Sequence, residues 1–415
     1  MMNALFFLLR IALLTLVAVL STACSNTHDT SDGAKVDTHD AALIERGRYL
    51  AKAADCAACH TSRDGAPFAG GVKLDSPFGT FYGTNITPDA QHGIGKWTAD
   101  DFYEALHEGV SPNGQLYPAM PYTSYRQMSR ADSDAVYAYL MSLKPAAVTN
   151  REPDLSFPFN LRFAVRFWKM LFLENALPDA SRGESLDWNR GRYLANALGH
   201  CAECHTPRGA FGQLDGAKPL SGGALGRIHA PDLTPEGLAN RGWSARDLQT
   251  FFGTGIAPQG SAFGEMHPVV HLSSQYMTAD DLRAISTYVL GDKPIAPTPL
   301  QTQSSDAAQM AAGRRAYLSV CAGCHGFEGE GKPHVAVSMR GNSTVRQSDA
   351  HNLIVSMLDG IDEQAFPGLE HMQEMPGFAN TLSDDELAQV ANYLRNSLGG
   401  QPADVTANVV HALRR

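Results

Sequence analysis

The sequence predicts an all-α protein in which one small helical domain occurs three times in tandem. Six of the seven cysteines lie in three C-x-x-C-H frames, at Cys56–His60, Cys201–His205 and Cys321–His325. A short Gly-Arg segment stands before each frame, and an apolar run with a helix-capping signal follows it. Because the same signals recur in the same order, they indicate one structural unit used three times.

Length and composition agree with several globular domains. The chain has 415 residues, which favours two to three domains at about 150 residues each. Hydrophobic residues make up 44% and charged residues 18%, a balance that excludes intrinsic disorder. The net charge of −10 argues against nucleic acid as a partner. Seven cysteines are too few for a disulfide scaffold in a chain of this size, so their spacing carries the information.

The amino terminus has the pattern of an export signal. Residues 1–23 are mostly apolar with Arg10 as their one charged residue, and the uncharged run Ile11–Leu20 has the length of a signal-peptide core. The sequence therefore predicts an exported protein. No later stretch is long and apolar enough to predict another transmembrane helix.

Cys24 directly follows the predicted cleavage site. Ser21 and Ala23 fit a small-x-small cleavage signal, and a cysteine in the next position resembles the lipidated residue of bacterial lipoproteins. Ser21 stands where those proteins usually have Leu, so plain cleavage after Ala23 and an uncleaved anchor are alternatives. Residues 24–40 are polar and lack periodicity, which predicts a flexible tether.

The C-x-x-C-H frame is the attachment motif of c-type haem. Two thiols form thioethers with the haem vinyl groups, and the adjacent histidine becomes an axial iron ligand. The predicted attachment residues are Cys56, Cys59, Cys201, Cys204, Cys321 and Cys324, and the predicted histidine ligands are His60, His205 and His325. A zinc site would need paired motifs, and three motifs leave one unpaired. A redox dithiol followed by histidine three times would be a coincidence. Three covalent haems are therefore predicted.

Local signals around the motifs predict a pair of packed helices in each repeat. The glycines that precede the motifs, and that would permit close helix contact, are Gly47, Gly191 and Gly313. The predicted helix caps are Ser129 with Asp132, Thr278 with Asp281, and Ser383 with Glu386. Ten residues after the caps come Tyr139, Tyr288 and Tyr393. We interpret these tyrosines as helix–helix core and not as catalytic groups.

A methionine follows each motif histidine at a similar distance, which suggests a sixth iron ligand. The candidates are Met120, Met266 and Met375, each near a proline. Met128 and Met277 compete with them, but the third repeat has Leu382 in that position, and leucine cannot ligate iron. Those two methionines are therefore predicted to pack before a helix cap.

Other candidate ligands stay open in two repeats. Met372 is an alternative to Met375 in the third repeat. In the second repeat His200, His267 and His271 stand near the motif or near Met266, so a bis-histidine haem is an alternative there.

The chain as a whole resembles a known family, the triheme cytochrome c subunits of membrane-bound bacterial dehydrogenases. The shared segments are 47–50 with the first motif, 67–71, 84–89, 95–97, 116–122, 157–160, 188–191 and 375–378. The family includes subunits of quinoprotein alcohol dehydrogenases and of flavin-dependent gluconate, sorbitol and fructose dehydrogenases, with relatives in molybdenum enzymes. The resemblance implies three tandem class I cytochrome c domains, each with one haem c, and the pairs His60–Met120, His205–Met266 and His325–Met375.

The resemblance also implies a function. Subunits of this family carry electrons from a catalytic subunit of the flavin, PQQ or molybdenum type towards ubiquinone or another acceptor such as an oxidase. They sit at the periplasmic face of the inner membrane. The expected protein is thus a non-catalytic electron-transfer subunit. The alternatives are a stand-alone electron shuttle and a multihaem enzyme such as a peroxidase.

The predicted boundaries follow from the repeats and from two linkers. The cytochrome domains are expected at 41–146, 184–293 and 307–399. The linker 147–183 is rich in aromatic residues with cations between them, and it either lies on a membrane or partner surface or packs across two domains. The linker 294–306 is rich in proline. Residues 400–415 form a tail with apolar positions at Val405, Val409, Ala412 and Leu413, which predicts a short amphipathic segment.

Overall fold

A computed structural model describes residues 35–174, 180–181, 183–301 and 306–415 of the chain. The predicted signal segment 1–23 and Cys24 lie outside these residues. Asp37–Arg415 form one compact unit in which the three repeats contact one another. The fold is mostly helical, in agreement with the predicted class.

The helices follow the order of the repeats. The helices before and in the first repeat are α1 (Ala41–Ala53), α2 (Cys56–His60), α3 (Ala99–His107), α4 (Tyr122–Tyr125) and α5 (Arg130–Met141). The linker contains α6 (Val165–Phe172). The second repeat has α7 (Leu186–Tyr193), α8 (Ala202–His205), α9 (Pro235–Asn240), α10 (Ala245–Thr254), α11 (Met266–Pro268) and α12 (Ala279–Leu290). The third has α13 (Ala307–Val320), α14 (Ala322–His325), α15 (His351–Asp359) and α16 (Asp384–Tyr393), and the tail has α17 (Ala407–Leu413).

Shorter helical turns extend several of these elements. Three-residue 3₁₀ turns occur at Arg162–Ala164, Ser274–Tyr276 and Pro367–Leu369. Single π-helical turns occur at Leu194–Leu198, Val269–Ser273 and Leu394–Leu398.

Short antiparallel strands form in the loops, a feature that the sequence did not predict. They are β1 (Lys73–Ser76), β2 (Gly79–Tyr82), β3 (Val110–Ser111), β4 (Gly114–Gln115), β5 (Asp154–Leu155), β6 (Gly223–Leu225), β7 (Ile228–Ala230), β8 (Ile256–Ala257), β9 (Gly260–Ser261), β10 (Gln364–Phe366) and β11 (Glu370–Met372). Sheet order is β1-β2-β5, and the remaining strands pair as hairpins, β3 with β4, β6 with β7, β8 with β9 and β10 with β11. Glycine in the left-handed region, as at Gly79 and Gly226, permits the tight turns.

The helix before each motif crosses the capped helix of the same repeat at a glycine. Helix α1 packs on α5, α7 on α12, and α13 on α16. A Cβ atom on Gly47, Gly191 or Gly313 would lie 1.8, 1.9 and 2.2 Å from the carbonyl oxygens of Ala135, Ala284 and Gln389. The same Cβ would lie within 2.8 Å of the Cβ of Tyr139, Tyr288 or Tyr393. The predicted close contact, with tyrosine at the helix crossing, is confirmed in all three repeats.

All three predicted helix caps are present. The hydroxyls of Ser129, Thr278 and Ser383 accept hydrogen bonds from the backbone N–H of the third helical residue. Met128 and Met277, which precede two of the caps, are buried, so their predicted packing role is confirmed. Leu382 packs against the core of the third repeat.

The first two repeats join through reciprocal hydrogen bonds. Tyr49 of the first repeat donates its hydroxyl to Asp281 of the second, and Tyr193 of the second donates to Asp132 of the first. Each tyrosine oxygen also accepts the N–H of the opposite helix cap, at Thr278 and Ser129. The two repeats therefore use the same residues in exchanged roles, as in a pseudo-twofold pair.

The third repeat joins the second through the β6–β7 hairpin. Arg227 makes two charge-assisted hydrogen bonds to Asp359, at 2.5 and 2.7 Å. Asn352 pairs with both backbone groups of His229, and the rings of His229 and His351 stack with centroids 3.7 Å apart. Among the described residues, the contact between the second and third repeats contains no tyrosine–aspartate pair like Tyr49–Asp281 or Tyr193–Asp132.

The aromatic linker packs across the first two repeats and also exposes apolar surface. Lys169 donates to the carbonyl of Glu108 in the first repeat at 2.7 Å, and Trp168 donates to Phe211 in the second at 2.8 Å. The predicted packing across two domains is thus confirmed. Its exposed side chains include Phe157, Phe159, Phe163, Phe167, Met170 and Leu171. Contact of this surface with a membrane or a partner stays a prediction.

The tail folds back on the third repeat. Helix α17 packs against α16, and Asn392 holds both backbone groups of Val405. Val405 is buried and Leu413 packs against the core of the third repeat, as predicted. The predicted positions Val409 and Ala412 are exposed, and Val410 is buried instead. Within the described residues, no helix is long and apolar enough to cross a bilayer.

Candidate haem-binding sites

Each motif ends in a short helix that presents its histidine to a backbone carbonyl. The Nδ1 atom of His60 lies 2.6 Å from the carbonyl oxygen of Thr84. The equivalent partners are Pro231, 2.7 Å from His205, and Val337, 3.0 Å from His325. Because a carbonyl oxygen can only accept, Nδ1 carries the hydrogen in all three rings and Nε2 keeps its lone pair. The described residues make no hydrogen bond to these Nε2 atoms.

Burial keeps the motif histidines neutral. Desolvation lowers the pKa of His60 and of His325, and it lowers the pKa of His205 to about 4 although the Pro231 carbonyl opposes this shift. A neutral imidazole with a fixed Nδ1–H and a free Nε2 is the form that binds a metal. The hydrogen bond also orients the ring and increases the basicity of Nε2.

The loop after each motif returns against the motif backbone. The carbonyl of the histidine accepts a glycine N–H in all three cases, from Gly70 to His60, Gly222 to His205 and Gly331 to His325. A Cβ on Gly83 would lie 1.7 Å from the carbonyl oxygen of Cys59, and one on Gly223 would lie 2.4 Å from that of Cys204. Glycine is thus required where these loops touch the motif.

A buried asparagine fixes the first of these loops. The Asn85 side chain donates to the carbonyls of Ala146 and Val148 and accepts from Thr87, while its backbone N–H donates to Asn150. Asn85 directly follows Thr84, whose carbonyl orients His60. The segment 146–150 therefore fixes Asn85, and with it the neighbouring Thr84 carbonyl that orients His60.

Five of the six motif cysteines are partly buried, whereas Cys324 is exposed. Burial raises the pKa of Cys56 and Cys201 to about 12, and that of Cys59, Cys204 and Cys321 to about 11, with smaller contributions from neighbouring charges. Such thiols are not poised as thiolates for redox exchange or zinc binding. In the described part of the chain no motif cysteine joins a cluster of three potential metal ligands. The geometry therefore disfavours the zinc and dithiol alternatives and fits covalent haem attachment.

Comparisons with known proteins agree with this geometry. The cytochrome c family matches residues 44–144 and 310–397. The chain is 38% identical to the alcohol dehydrogenase (quinone) cytochrome c subunit of Gluconobacter oxydans (strain 621H), covering 90% of this chain and 83% of the relative. It is 37% identical to the gluconate 2-dehydrogenase cytochrome c subunit of Pantoea cypripedii, covering 91% of each. It is 36% identical to the fructose dehydrogenase cytochrome subunit of Gluconobacter japonicus, covering 89% and 82%.

The chain belongs to the family of dehydrogenase cytochrome c subunits. Membership implies covalently bound haem c and a role in electron transfer. The resemblance inferred from the sequence motifs is thereby confirmed.

The three methionine candidates of this cytochrome lie in partly buried loops after the motifs. Met120 lies in the turn before α4, Met266 begins α11, and Met375 pairs with Ile361 through two backbone hydrogen bonds. Met266 packs near Ala262, Val270 and Phe366, between the second and third repeats. All three side chains are therefore of intermediate exposure, neither fully exposed nor fully buried.

Packing separates Met375 from its rival in the third repeat. Met375 contacts the core cluster that also includes Cys321 of the third motif. Met372 packs instead with Phe366 in the cluster that contains Met266. These contacts favour Met375 as the methionine of the third site.

The histidines near the second site are engaged elsewhere. His267 Nε2 lies 2.9 Å from the carbonyl oxygen of Ala365, and its ring stacks on His271. His200 packs edge-on against Tyr125 of the first repeat. These contacts favour Met266 over a histidine as the sixth ligand there.

Sequence reasoning missed the carbonyl partners Thr84, Pro231 and Val337. A backbone carbonyl leaves no side-chain pattern, and the three lie 24, 26 and 12 residues after their histidines. A signal was present for the first site, because the segment Thr84–Asp89 belongs to the family resemblance.

Proposed function

We propose that this protein is a triheme c-type cytochrome that passes electrons from a partner membrane-bound dehydrogenase to ubiquinone or another respiratory acceptor. The observation that carries the proposal is the hydrogen bond from motif histidine to backbone carbonyl, which recurs in all three motifs. This hydrogen bond holds each imidazole in the tautomer whose Nε2 can bind iron.

The proposal assigns each repeat one covalent haem in a class I cytochrome c domain. The domains are 41–146, 184–293 and 307–399, separated by linkers at 147–183 and 294–306. The attachment residues are the six motif cysteines, and the iron ligands are His60 with Met120, His205 with Met266, and His325 with Met375. Haem c supplies reversible one-electron chemistry in such a domain.

The chain's own residues would keep substrate away from each iron and set its reduction potential. In each proposed site a histidine with a fixed Nδ1–H and a partly buried methionine would both hold the iron, and this would leave no position for substrate. A thioether ligand raises the reduction potential relative to a second histidine.

Contact between the first two motifs supports transfer between their sites. Glu203, which lies between the two cysteines of the second motif, accepts hydrogen bonds from the hydroxyls of Thr123 and Ser124 in the first repeat, at 2.5 and 3.1 Å. Helix α2, which carries the first motif, packs against the turn Val269–Ser273 of the second repeat. The two attachment sites are thus neighbours across the pseudo-twofold pair. We infer that electrons pass between the first and second sites through this contact.

The partner and location follow from the relatives. The alcohol, gluconate and fructose dehydrogenase relatives are by name subunits of larger enzymes. We infer a separate catalytic subunit of the flavin, PQQ or molybdenum type, and a location at the periplasmic face of the inner membrane after export. Cys24 would add a lipid anchor, in which case Cys24→Ser releases the protein from membranes.

Co-purification tests the proposed partner. The tagged protein is extracted from its native membranes in mild detergent, and the accompanying chains are identified by mass spectrometry. We expect a large flavin, quinoprotein or molybdenum subunit, whose cofactor then defines the substrate class. A solitary cytochrome would instead support a stand-alone shuttle.

Spectroscopy tests the closed iron sites. We expect all haems to be low-spin and unresponsive to peroxide, and Met375→Leu to alter the ligation of the third haem alone. A peroxide-sensitive high-spin signal in the unmodified protein would support a multihaem enzyme instead.

A further inference from the structure

Two histidines and a glutamate converge on the surface of the third repeat, outside the proposed haem ligands. Potential ligand atoms of His334, Glu370 and His371 all lie within 4.8 Å of one another. His334 Nδ1 lies 2.7 Å from Glu370 Oε1, and the rings of His334 and His371 are near-parallel with centroids 5.9 Å apart. This is the one such group of three or more in the part of the chain that the structure describes.

The donor set selects a class of cation. Imidazole suits first-row transition metals and zinc, whereas Mg²⁺ and Ca²⁺ prefer oxygen ligands throughout. Two histidines and one carboxylate, with further positions open to water, match a zinc site with three protein ligands. A cation would take the place of the proton that His334 and Glu370 share, so the ligands need only small movements.

The backbone already holds the two contributing segments together. His334 lies in the loop after the third motif, while Glu370 and His371 belong to strand β11. Next to the cluster, the N–H of Gln373 donates to the carbonyl of Val335 at 3.0 Å. The ligands are therefore positioned by main-chain contacts that do not depend on the cation.

We propose that His334, Glu370 and His371 form a binding site for a divalent cation of the zinc and copper class. Bound there, the cation joins the loop 332–337 to the segment 370–375. The first segment contains Val337, which orients His325, and the second ends at Met375. The site thus clamps together the two segments that flank the third haem site, and it is distinct from that site.

Calorimetry on the haem-loaded protein, freed of other metals by a chelator and carrying a non-histidine tag, tests the binding. We expect one Zn²⁺ or Cu²⁺ per chain at this site and no competition by excess Mg²⁺. His334→Ala and His371→Ala should each weaken Zn²⁺ binding by at least about tenfold. His411→Ala is the matched control, because His411 is also an exposed histidine paired with a carboxylate, at 3.1 Å from Asp384. Equal Zn²⁺ affinity in all three variants would overturn the proposal.

Hydrogen exchange tests the clamp in the same samples. Zn²⁺ should slow amide exchange in 332–337 and 370–375 of the unmodified protein and of His411→Ala, and it should have no such effect in His334→Ala. Both variants are expected to fold, since their side chains lie at the surface, and a normal haem spectrum checks this. Zn²⁺-independent exchange in the unmodified protein would contradict the clamp.

Discussion

The first two repeats and the third use the same helix cap for different purposes. In the third repeat Glu386 returns its carboxylate to the cap residue Ser383, which completes a capping box. In the first two repeats the acid in the same position points away from its cap. Asp132 binds Arg46 and Tyr193, and Asp281 binds Arg190 and Tyr49.

The difference shows that an acidic residue of a helix-cap motif can instead form a contact between repeats. The cap hydroxyl alone suffices to begin each helix, so the acid is free to form a contact between repeats. Tyr49 and Tyr193 each stand two residues after the crossing glycine of their repeat. The third repeat has Arg315 in that position. It therefore cannot form the exchanged pair, and it docks through Arg227 and Asp359 instead.

The largest expected effect comes from the glycine helix crossings, which all three repeats share. Gly47→Ala places a methyl group 1.8 Å from the carbonyl oxygen of Ala135, so the helices must separate. We expect a loss of about 3 kcal/mol in the free energy of unfolding, measured by urea denaturation. Hydrogen exchange should show loosening in both paired repeats, whereas Gly313→Ala should loosen only the third.

Gly183→Ala serves as the control for these variants. A Cβ on Gly183 has no heavy atom within 4 Å, so this variant should keep the stability of the unmodified protein. If Gly47→Ala were equally harmless, the close helix crossing would be wrong.

Removing Asp281, which bonds across the two repeats, should lower the free energy of unfolding more than removing Glu386, which only caps its own helix. Asp281→Ala leaves Arg190 and Tyr49 without their carboxylate, and we expect a loss of about 2 kcal/mol in unfolding free energy. Glu386→Ala removes an exposed side chain from a cap whose hydroxyl remains, so its loss should be clearly smaller. Matched chemical denaturation of the two variants compares them, and a larger loss for Glu386→Ala would reverse our interpretation.

Tyr193→Phe removes one hydroxyl from the exchanged pair. That hydroxyl donates to Asp132 at 2.6 Å and accepts the N–H of Ser129 at 3.0 Å. We expect a loss of about 1 to 2 kcal/mol, and a similar value for Tyr49→Phe, because the pseudo-twofold gives both tyrosines the same role. Strongly unequal losses would show that the two halves of the contact are not equivalent. Tyr276→Phe, at an exposed ring, is the control.

Acidification should loosen the docking of the third repeat on the β6–β7 hairpin. Burial and the neighbouring His351 lower the pKa of His229 in the folded protein. The unfolded chain therefore binds this proton more readily, and the stability that neutral His229 contributes is lost as the pH falls below its usual pKa of about 6.5. Hydrogen exchange at pH 7.5 and 5.5, compared as protection factors that correct for the slower intrinsic exchange at low pH, should show lower protection at pH 5.5 in 223–230 and 351–359. His229→Gln should abolish that difference.

Much of the fold followed from local sequence signals. Helix caps, the crossing glycines and the haem motifs depend on residues close together in the chain, and each was predicted. The hairpins were not, because their two- to four-residue strands are half-exposed and lack an alternating apolar pattern. The exchanged tyrosines were missed since Tyr49 and Asp281 are 232 residues apart and neither is unusual in its own segment.

The candidate sites were predictable only in part for the same reason. The cysteines and histidines are adjacent in sequence, whereas the methionines sit in loops whose course depends on tertiary packing. The sequence put Met375 first and left Met372 open, and only the packing of the two side chains against different clusters adds support for Met375. The orienting carbonyls carry no side-chain signature at all.

The most direct test of the central claim is the intact mass of the mature, denatured protein. Covalent haem survives denaturation, so the account predicts three haem additions per chain, and two in each variant whose motif cysteines are replaced, Cys56→Ala/Cys59→Ala, Cys201→Ala/Cys204→Ala and Cys321→Ala/Cys324→Ala. Fewer than three haems in the unmodified chain, or a motif variant that keeps all three, would contradict it.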